Sequence, residues 1–407
     1  MITSVSSIAA PVQSQVSNLA TTNSATTVSS PPGQPVASTL RMLGLELLLA
    51  FPLGLLLSRL QIGSLAWIFS GLVAAAGLAY LYKTFNQPLP PPNRSARKVG
   101  LSLVGLTIGS SISQANLAPI TSHLPIFALL TFFLLLSGSA IGYGYARLSG
   151  TNLLTALLAT VPGGVGVMAS LAADYDRNVT QVALVQIIRV TAVILGIPLL
   201  SGLISGTGIS RVVLQREWLS FEPIALGLLF LALVTTGATV ILAGRLGIPA
   251  APFLAAVVVG TSFNPLLTQV SGLDLHFCPP LLVSVLGQIL LGLTIGEYWG
   301  SQWQTPAQLG RRSISGAFLS VMLTLSAGLL AAAIAHHLTT WDWLTCLLVT
   351  APGGAPEMIL VALSMNHQVE TVTAAHLVRL IAINGSLPLW IYLFSRLDPT
   401  PATAQYS

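Results

Sequence analysis

Charge is what this sequence has least of. Asp, Glu, Lys and Arg make up 7% of its 407 residues, against about 25% in a soluble chain. Polar side chains therefore cannot cover a water-facing surface of that size, and a soluble globular protein is excluded. Cysteine is almost missing as well. Cys278 and Cys346 build neither a disulfide framework nor a Cys-rich metal site, and they read as small apolar fillers. The sixteen basic residues, for a net charge of +5, lie mostly at the ends of apolar runs, where they set topology. They form no phosphate-binding stripe, so no nucleic-acid partner is expected. Walker, dinucleotide-fingerprint and nucleophile-elbow motifs are absent. Neither a cofactor, nor a resident metal, nor an enzymatic activity is expected.

What the chain does have is hydrophobicity: 53% of its residues and a mean hydropathy of +0.82. Apolar runs of about 20 residues recur between Arg41 and Arg396, long enough to cross a bilayer as helices. They are continuous and do not alternate in ten-residue units, which excludes a β-barrel. The fold class is an all-α polytopic membrane protein. Candidate segments are 41–59, 62–82, 98–115, 124–147, 151–174, 179–204, 221–245, 248–270, 280–299, 313–337, 341–364 and 369–395. Ahead of them, residues 1–39 are rich in Ser, Thr, Ala, Gln and Pro, and the first charge is Arg41. With neither a basic n-region nor an apolar core this is no secretory signal, and it reads as a disordered tail. Residues 397–407 read as a C-terminal tail.

The chain repeats itself. Gly105-Leu106-Thr107-Ile108-Gly109 recurs unchanged as Gly292-Leu293-Thr294-Ile295-Gly296, and Arg59-Leu60-Gln61-Ile62 recurs as Arg245-Leu246-Gly247-Ile248. Thr160-Val161-Pro162-Gly163-Gly164 returns as Thr350-Ala351-Pro352-Gly353-Gly354. Beyond those glycines the match continues without a gap: Met168 with Met358, Ala172 with Ala362, Val179 with Val369, Arg189 with Arg379 and Pro198 with Pro388. The domain reading is two membrane repeats, 40–205 and 221–396.

Basic residues orient the halves, because they collect in cytoplasmic loops. The loop before the first Gly-Leu-Thr-Ile-Gly segment carries Lys83, Arg94, Arg97 and Lys98, whereas its counterpart, 271–279, carries Asp274 and no base. After the segment the bias reverses: 116–123 has no base, and 300–312 ends in Arg311 and Arg312. Equivalent loops then lie on opposite sides, and the repeats are inverted. Inversion needs an odd number of crossings per half, so one of the six segments must turn back. The Pro-Gly-Gly segment fits, since its break leaves arms of about ten residues, too short to span. The expectation is five spans and one re-entrant hairpin per half. Arg59, Arg211 and Arg216 fall on the wrong side of this map, and twelve full spans with parallel halves is the alternative.

Interrupted helices in inverted repeats are where secondary transporters build a midplane site. Irregular backbone at that depth is tolerated only when buried or lining a watery cavity. Gly163, Gly164, Gly353 and Gly354 permit close approach of backbone to a ligand, and the arm after each tip offers free N–H groups to an anion. Arg189 and Arg379 lie about ten residues into the next span, roughly 15 Å deep, and a charge there needs a partner. Two roles are open to them: a structural one, as an ion pair or a cap on the carbonyls of a broken helix, or a functional one, as an anion-binding or coupling residue. Gln186 and His376 stand one turn earlier on the same face. Glu357, opposite Val167 in the repeat, is either a helix-start acid suited to the dipole or a titrating carboxylate that couples ions, paired with Arg379. Glu46 and Glu297 also lie at or near apolar segments, with Glu297 read as interfacial. His336, His337, Asp342 and His367 read as a solvated loop rather than a metal cluster, and Asp174-Tyr175-Asp176-Arg177 as a charged turn.

At Thr160–Arg189 and Thr350–Arg379, with the Gly-Leu-Thr-Ile-Gly repeats upstream, the chain resembles the membrane AbrB-duplication family over about 41–396. Members are bacterial inner-membrane proteins labelled AbrB-family regulators or ammonia monooxygenases. The resemblance implies that location and a duplicated architecture. Onto the family pattern fall Pro162, Gly163, Gly164 and Arg189, with Pro352, Gly353, Gly354, Glu357 and Arg379. These are the expected substrate-binding residues. The expected function is secondary transport of a small anionic solute by alternating access, with the lipid bilayer as environment and a homodimer by analogy. The alternatives are a membrane regulator or sensor acting through a partner and, behind it, a membrane monooxygenase.

Overall fold

A computed structural model describes residues 36–59, 65–85, 87, 89–113, 118–205, 218–272, 277–302, 311–365 and 367–397. Arg211, Arg216, Asp274 and nearly all of both expected tails lie outside the described residues. Among these residues there are fourteen helices and no strand. In chain order the first seven are α1 (Val36–Ser58), α2 (Leu65–Thr84), α3 (Arg94–Ile112), α4 (Ala118–Ser149), α5 (Leu153–Thr160), α6 (Val165–Asp174) and α7 (Val179–Ser205). The second seven are α8 (Pro223–Arg245), α9 (Ala251–Ser271), α10 (Leu281–Gln302), α11 (Arg311–Leu338), α12 (Trp343–Thr350), α13 (Ala355–Ser364) and α14 (Val369–Leu397).

Nine of these helices are long and apolar enough to cross a membrane: α1, α2, α4, α7 to α11 and α14. α3 is long enough at 19 residues, but Arg94, Arg97 and Lys98 open it and leave it outside that apolar set. α5, α6, α12 and α13, of 8 to 10 residues, reach about 12–15 Å at 1.5 Å per residue, half a hydrocarbon core.

The halves are built into one another. α10 packs along α2 and α9 along α3, while α1 covers α2 and α8 covers α9. α4 pairs with α11, and each touches the other half's last helix, α14 or α7. Every one of these contacts has its counterpart when the halves are exchanged. Between apolar helices in lipid no hydrophobic force drives association, so close backbone packing must supply it. The Gly-Leu-Thr-Ile-Gly repeats do this. Gly105 lies against the Phe253 carbonyl, where an added Cβ would sit 2.7 Å from the oxygen, and Gly109 lies against Val257 and Gly260. Gly292 and Gly296 meet the Ile68 and Leu72 carbonyls of α2 in the same way. The repeated motif is thus the crossing point of two equivalent helix pairs. Outer helices show the reverse pattern: 72% of the apolar window of α10 is buried inside the protein against 11% of that of α8. α8 turns Phe230, Ile241 and Leu242 outward, a surface suited to acyl chains.

Candidate functional site

Pro162 and Pro352 break their segments for a local reason. A proline disfavours the α region for the residue before it and cannot donate to the helix ladder. Val161 (ψ 132°) and Ala351 (ψ 127°) are accordingly extended and end α5 and α12. The chain restarts as α6 and α13 after two glycines. Gly164 needs its missing side chain, with φ at +81°; Gly354 takes the same position at φ −70°. Gly163 and Gly353 leave room for Met168 and Met358, the paired methionines of the repeat. Neither α6 nor α13 has a side-chain cap at its N-terminus, so first-turn N–H groups are left over.

Each broken segment is pinned at both ends of its incoming arm. Asn152 and Asp342 cap the incoming arms, accepting from the backbone N–H groups two and three residues on. Thr160 and Thr350, at the ends of those arms, donate through their hydroxyls to the carbonyls of Gly138 and Gly328, both at 3.0 Å. In the second hairpin the two ends meet, with His367 Nε2 2.8 Å from Asp342 Oδ2. This is what the loop histidine cluster comes to, and no metal-holding group of three or more His, Cys, Asp or Glu occurs among the described residues.

The buried arginines hold the tips. Arg379 donates Nη1 to the Ala351 carbonyl at 2.7 Å and Nη2 to the Gly353 carbonyl at 3.0 Å. It also donates Nη2 to His376 Nδ1 at 2.7 Å. His376 therefore carries its proton on Nε2, which donates to the Leu348 carbonyl at 2.9 Å. In the first half Arg189 donates to the Thr160 carbonyl at 2.8 Å and to Gln186 Oε1 at 2.6 Å. Gln186 Nε2 in turn serves the carbonyls of Leu158 and Val161, both at 2.9 Å. The Pro-Gly-Gly breaks orphan carbonyls in the protein interior, and the Gln-Arg and His-Arg pairs satisfy them.

Both tips line one cavity of about 130 Å³, room for several waters or a small solute. Its wall includes Pro162, Gly163 and Gly164 from one hairpin and Gly353, Gly354 and Glu357 from the other. Arg97 and Leu101 of α3, Thr294 and Tyr298 of α10 and Asn384 of α14 complete its polar side and floor. Glu357 Oε2 is buried without a hydrogen-bond partner, and Arg97 lines the same cavity.

The family model described as Transition state regulatory protein AbrB matches residues 67–395, the stretch that builds both hairpins and the cavity. The chain belongs to the AbrB family. It is similar to "Uncharacterized protein YhjN" of Bacillus subtilis (strain 168), 27% identical over 345 residues, covering 82% of this chain and 88% of that protein. It is also similar to "Putative regulator AbrB" of Escherichia coli (strain K12), 25% identical over 314 residues, covering 76% and 84%.

In this AbrB-family chain the expected site residues divide. Pro162, Gly163, Gly164, Gly353, Gly354, Glu357 and Arg379 line the cavity, whereas Arg189 and Pro352 do not. Arg189 is 1% exposed and lies behind the first tip with its bonds turned to the protein. The expected pairing of Glu357 with Arg379 is not made, because the Arg379 guanidinium is spent on two carbonyls and His376. Glu297, read as interfacial, is half-buried near the end of α10 and accepts from the Asn93 backbone N–H at 2.8 Å, at the start of α3. Arg97 is the cavity residue that the sequence hid. It reads as one more loop base, and only its place four residues after the Asn93 cap hints that it sits one turn inside a helix.

Proposed function

We propose that this AbrB-family membrane protein is a secondary transporter of a small solute bearing an anionic group. The observation that carries the reading is the convergence of two Pro-Gly-Gly tips, one from each half, on one small cavity with unspent polar groups. Arg97 and the uncapped first turns of α6 and α13 make the wall attractive to negative charge. Glu357 forms an opposite pole for a proton or a cationic group on the solute. In this reading the halves are inverted and the hairpins enter and leave on one side. Support comes from the contact of Asp342 with His367 at the hairpin's two ends and from arms too short to span. A rearrangement of the helices around the cavity would open it to either side in turn. A bacterial inner membrane suits the charge map.

A thermal-shift screen of detergent-purified protein against small anions, zwitterions, cations and neutral solutes tests this directly. Solute at 100 times its Kd stabilises by about 2.7 kcal/mol. A hit is expected to vanish in Arg97→Ala and Glu357→Gln, and then to show uptake in proteoliposomes. A hit untouched by both variants would refute the site, and solute binding without flux would refute transport. A second reading, a membrane regulator acting through a partner, is favoured by the printed name of the Escherichia coli relative. A stoichiometric soluble partner in a pull-down would support it.

A further inference from the structure

Outside the cavity, a fully buried acid meets a half-buried one. Glu46 lies in the middle of α1, and Glu297 on α10, two helices in contact. Glu46 is 0% exposed, and neither of its carboxyl oxygens receives a hydrogen bond. Its carboxyl faces that of Glu297. As two carboxylates the groups are acceptors only, so the contact would set two charges against each other with no donor to the buried Glu46 carboxyl. Like charges so placed cannot both ionise. One proton turns the repulsion into an O–H···O⁻ hydrogen bond, among the strongest a protein makes.

We infer that Glu46 and Glu297 form a proton-binding site that holds one proton between them at neutral pH. The surroundings say where it sits. Glu297 Oε2 accepts the Asn93 N–H at 2.8 Å, which favours the charged form there. Glu46 has no such donor, so Glu46 carries the proton and donates it to Glu297, and the pair has a net charge of −1. Other charges near these helices are engaged elsewhere or make no ion pair with either acid. Lys83 ends α2. Arg94, Arg97 and Lys98 open α3, with Arg97 in the cavity wall. Arg189 of α7 bonds Thr160 and Gln186.

The site is wired to the cavity by two short paths. Glu297 adjoins Tyr298 and stands one turn after Thr294, both in the cavity wall. Asn93, the donor to Glu297, also caps α3 through its side chain, and Arg97 lies one turn further along that helix. Losing the proton would leave two charges on the α1–α10 contact and strain the α3 start that presents Arg97. If the transport reading holds, this is where a coupling proton binds.

The test is infrared spectroscopy of the purified full chain, as a pH difference measurement, on wild type, Glu46→Gln, Glu297→Gln and Glu357→Gln. A protonated-acid carbonyl band present at pH 7 should disappear in Glu46→Gln and persist in Glu357→Gln. In Glu297→Gln it should shift or lose its titration. A wild-type chain without the band, or a band unaffected by both Glu46→Gln and Glu297→Gln, would overturn the site. Should Glu46→Gln not fold, Glu297→Gln and the wild-type band decide it. Coupling is read separately, as solute-driven proton uptake in proteoliposomes. Flux in Glu46→Gln that keeps its proton dependence, with the wild-type band confirmed, would refute coupling and leave the site standing.

Discussion

The most exposed claim about the hairpins is that Arg379 holds a broken backbone together and is not chiefly a ligand. Replacing it with alanine removes three hydrogen bonds, to Ala351 O (2.7 Å), Gly353 O (3.0 Å) and His376 Nδ1 (2.7 Å). Bonds from a charged donor are worth about 1.5–3 kcal/mol each in soluble proteins, but side-chain bonds in membrane proteins average about 0.6. The lower figure gives about 2 kcal/mol for three bonds. The upper one is reduced because the variant no longer buries a charge. We expect a loss of about 2–5 kcal/mol, with Arg379→Lys intermediate, since a single ammonium lacks the fork that spans two carbonyls. The assay is thermal unfolding in detergent, with a double-mutant cycle against His376→Ala. That cycle should show a coupling of about 0.5–3 kcal/mol. Unchanged stability in Arg379→Ala would refute the reasoning, and additivity with His376→Ala would refute the shared network.

Other perturbations separate the remaining features. Arg189→Ala should destabilise the protein while leaving solute binding intact in whatever fraction folds, because its guanidinium faces the protein interior; ligand-induced thermal shifts measured at a temperature where the variant is folded decide this. Gly109→Ala and Gly292→Ala push a Cβ into backbone across the crossings and should each cost about 1–3 kcal/mol, whereas Gly237→Ala, with open space around it, should gain up to about 1 kcal/mol; thermal unfolding ranks the three. Gly164→Ala meets its φ of +81° and should lose about 1–3 kcal/mol in the same assay. Burial pushes the Asp342 carboxyl up, but the Thr345 hydroxyl and His367 more than reverse this and hold it below its usual range. Its contribution to stability is therefore present above about pH 4 and lost as pH falls through the carboxylate range, so wild type and Asp342→Asn should unfold at converging temperatures on acidification.

Much of this arrangement could be read from residue order. Apolar runs located the long helices, and the doubled Pro-Gly-Gly located both breaks, because proline and glycine act on their own backbone. Gln186 and His376 fall beside the arginines by helical spacing alone. What the arginines bond to could not be read in that way. A deep charge demands a partner, but every residue carries a carbonyl, and composition does not mark which ones a break has orphaned. The acid pair was hidden for a different reason: Glu46 and Glu297 lie in opposite halves, and only the packing of α1 against α10 brings them together. Arg97 was masked by three neighbouring bases that suggest a loop.

The exchanged pairing of α2 with α10 and α3 with α9 has a consequence for how the chain is made. While the ribosome is still making the second half, the first half has inserted helices whose glycine-lined faces have no mate. Assembly must wait for translation to finish, and in that interval the nascent protein depends on lipid or an insertion chaperone to shield those faces. The same logic lets the polypeptide be cut. Two plasmids, one encoding residues 1–210 and the other the remainder, should yield a complex that co-purifies, and neither fragment alone should survive proteolysis in the cell.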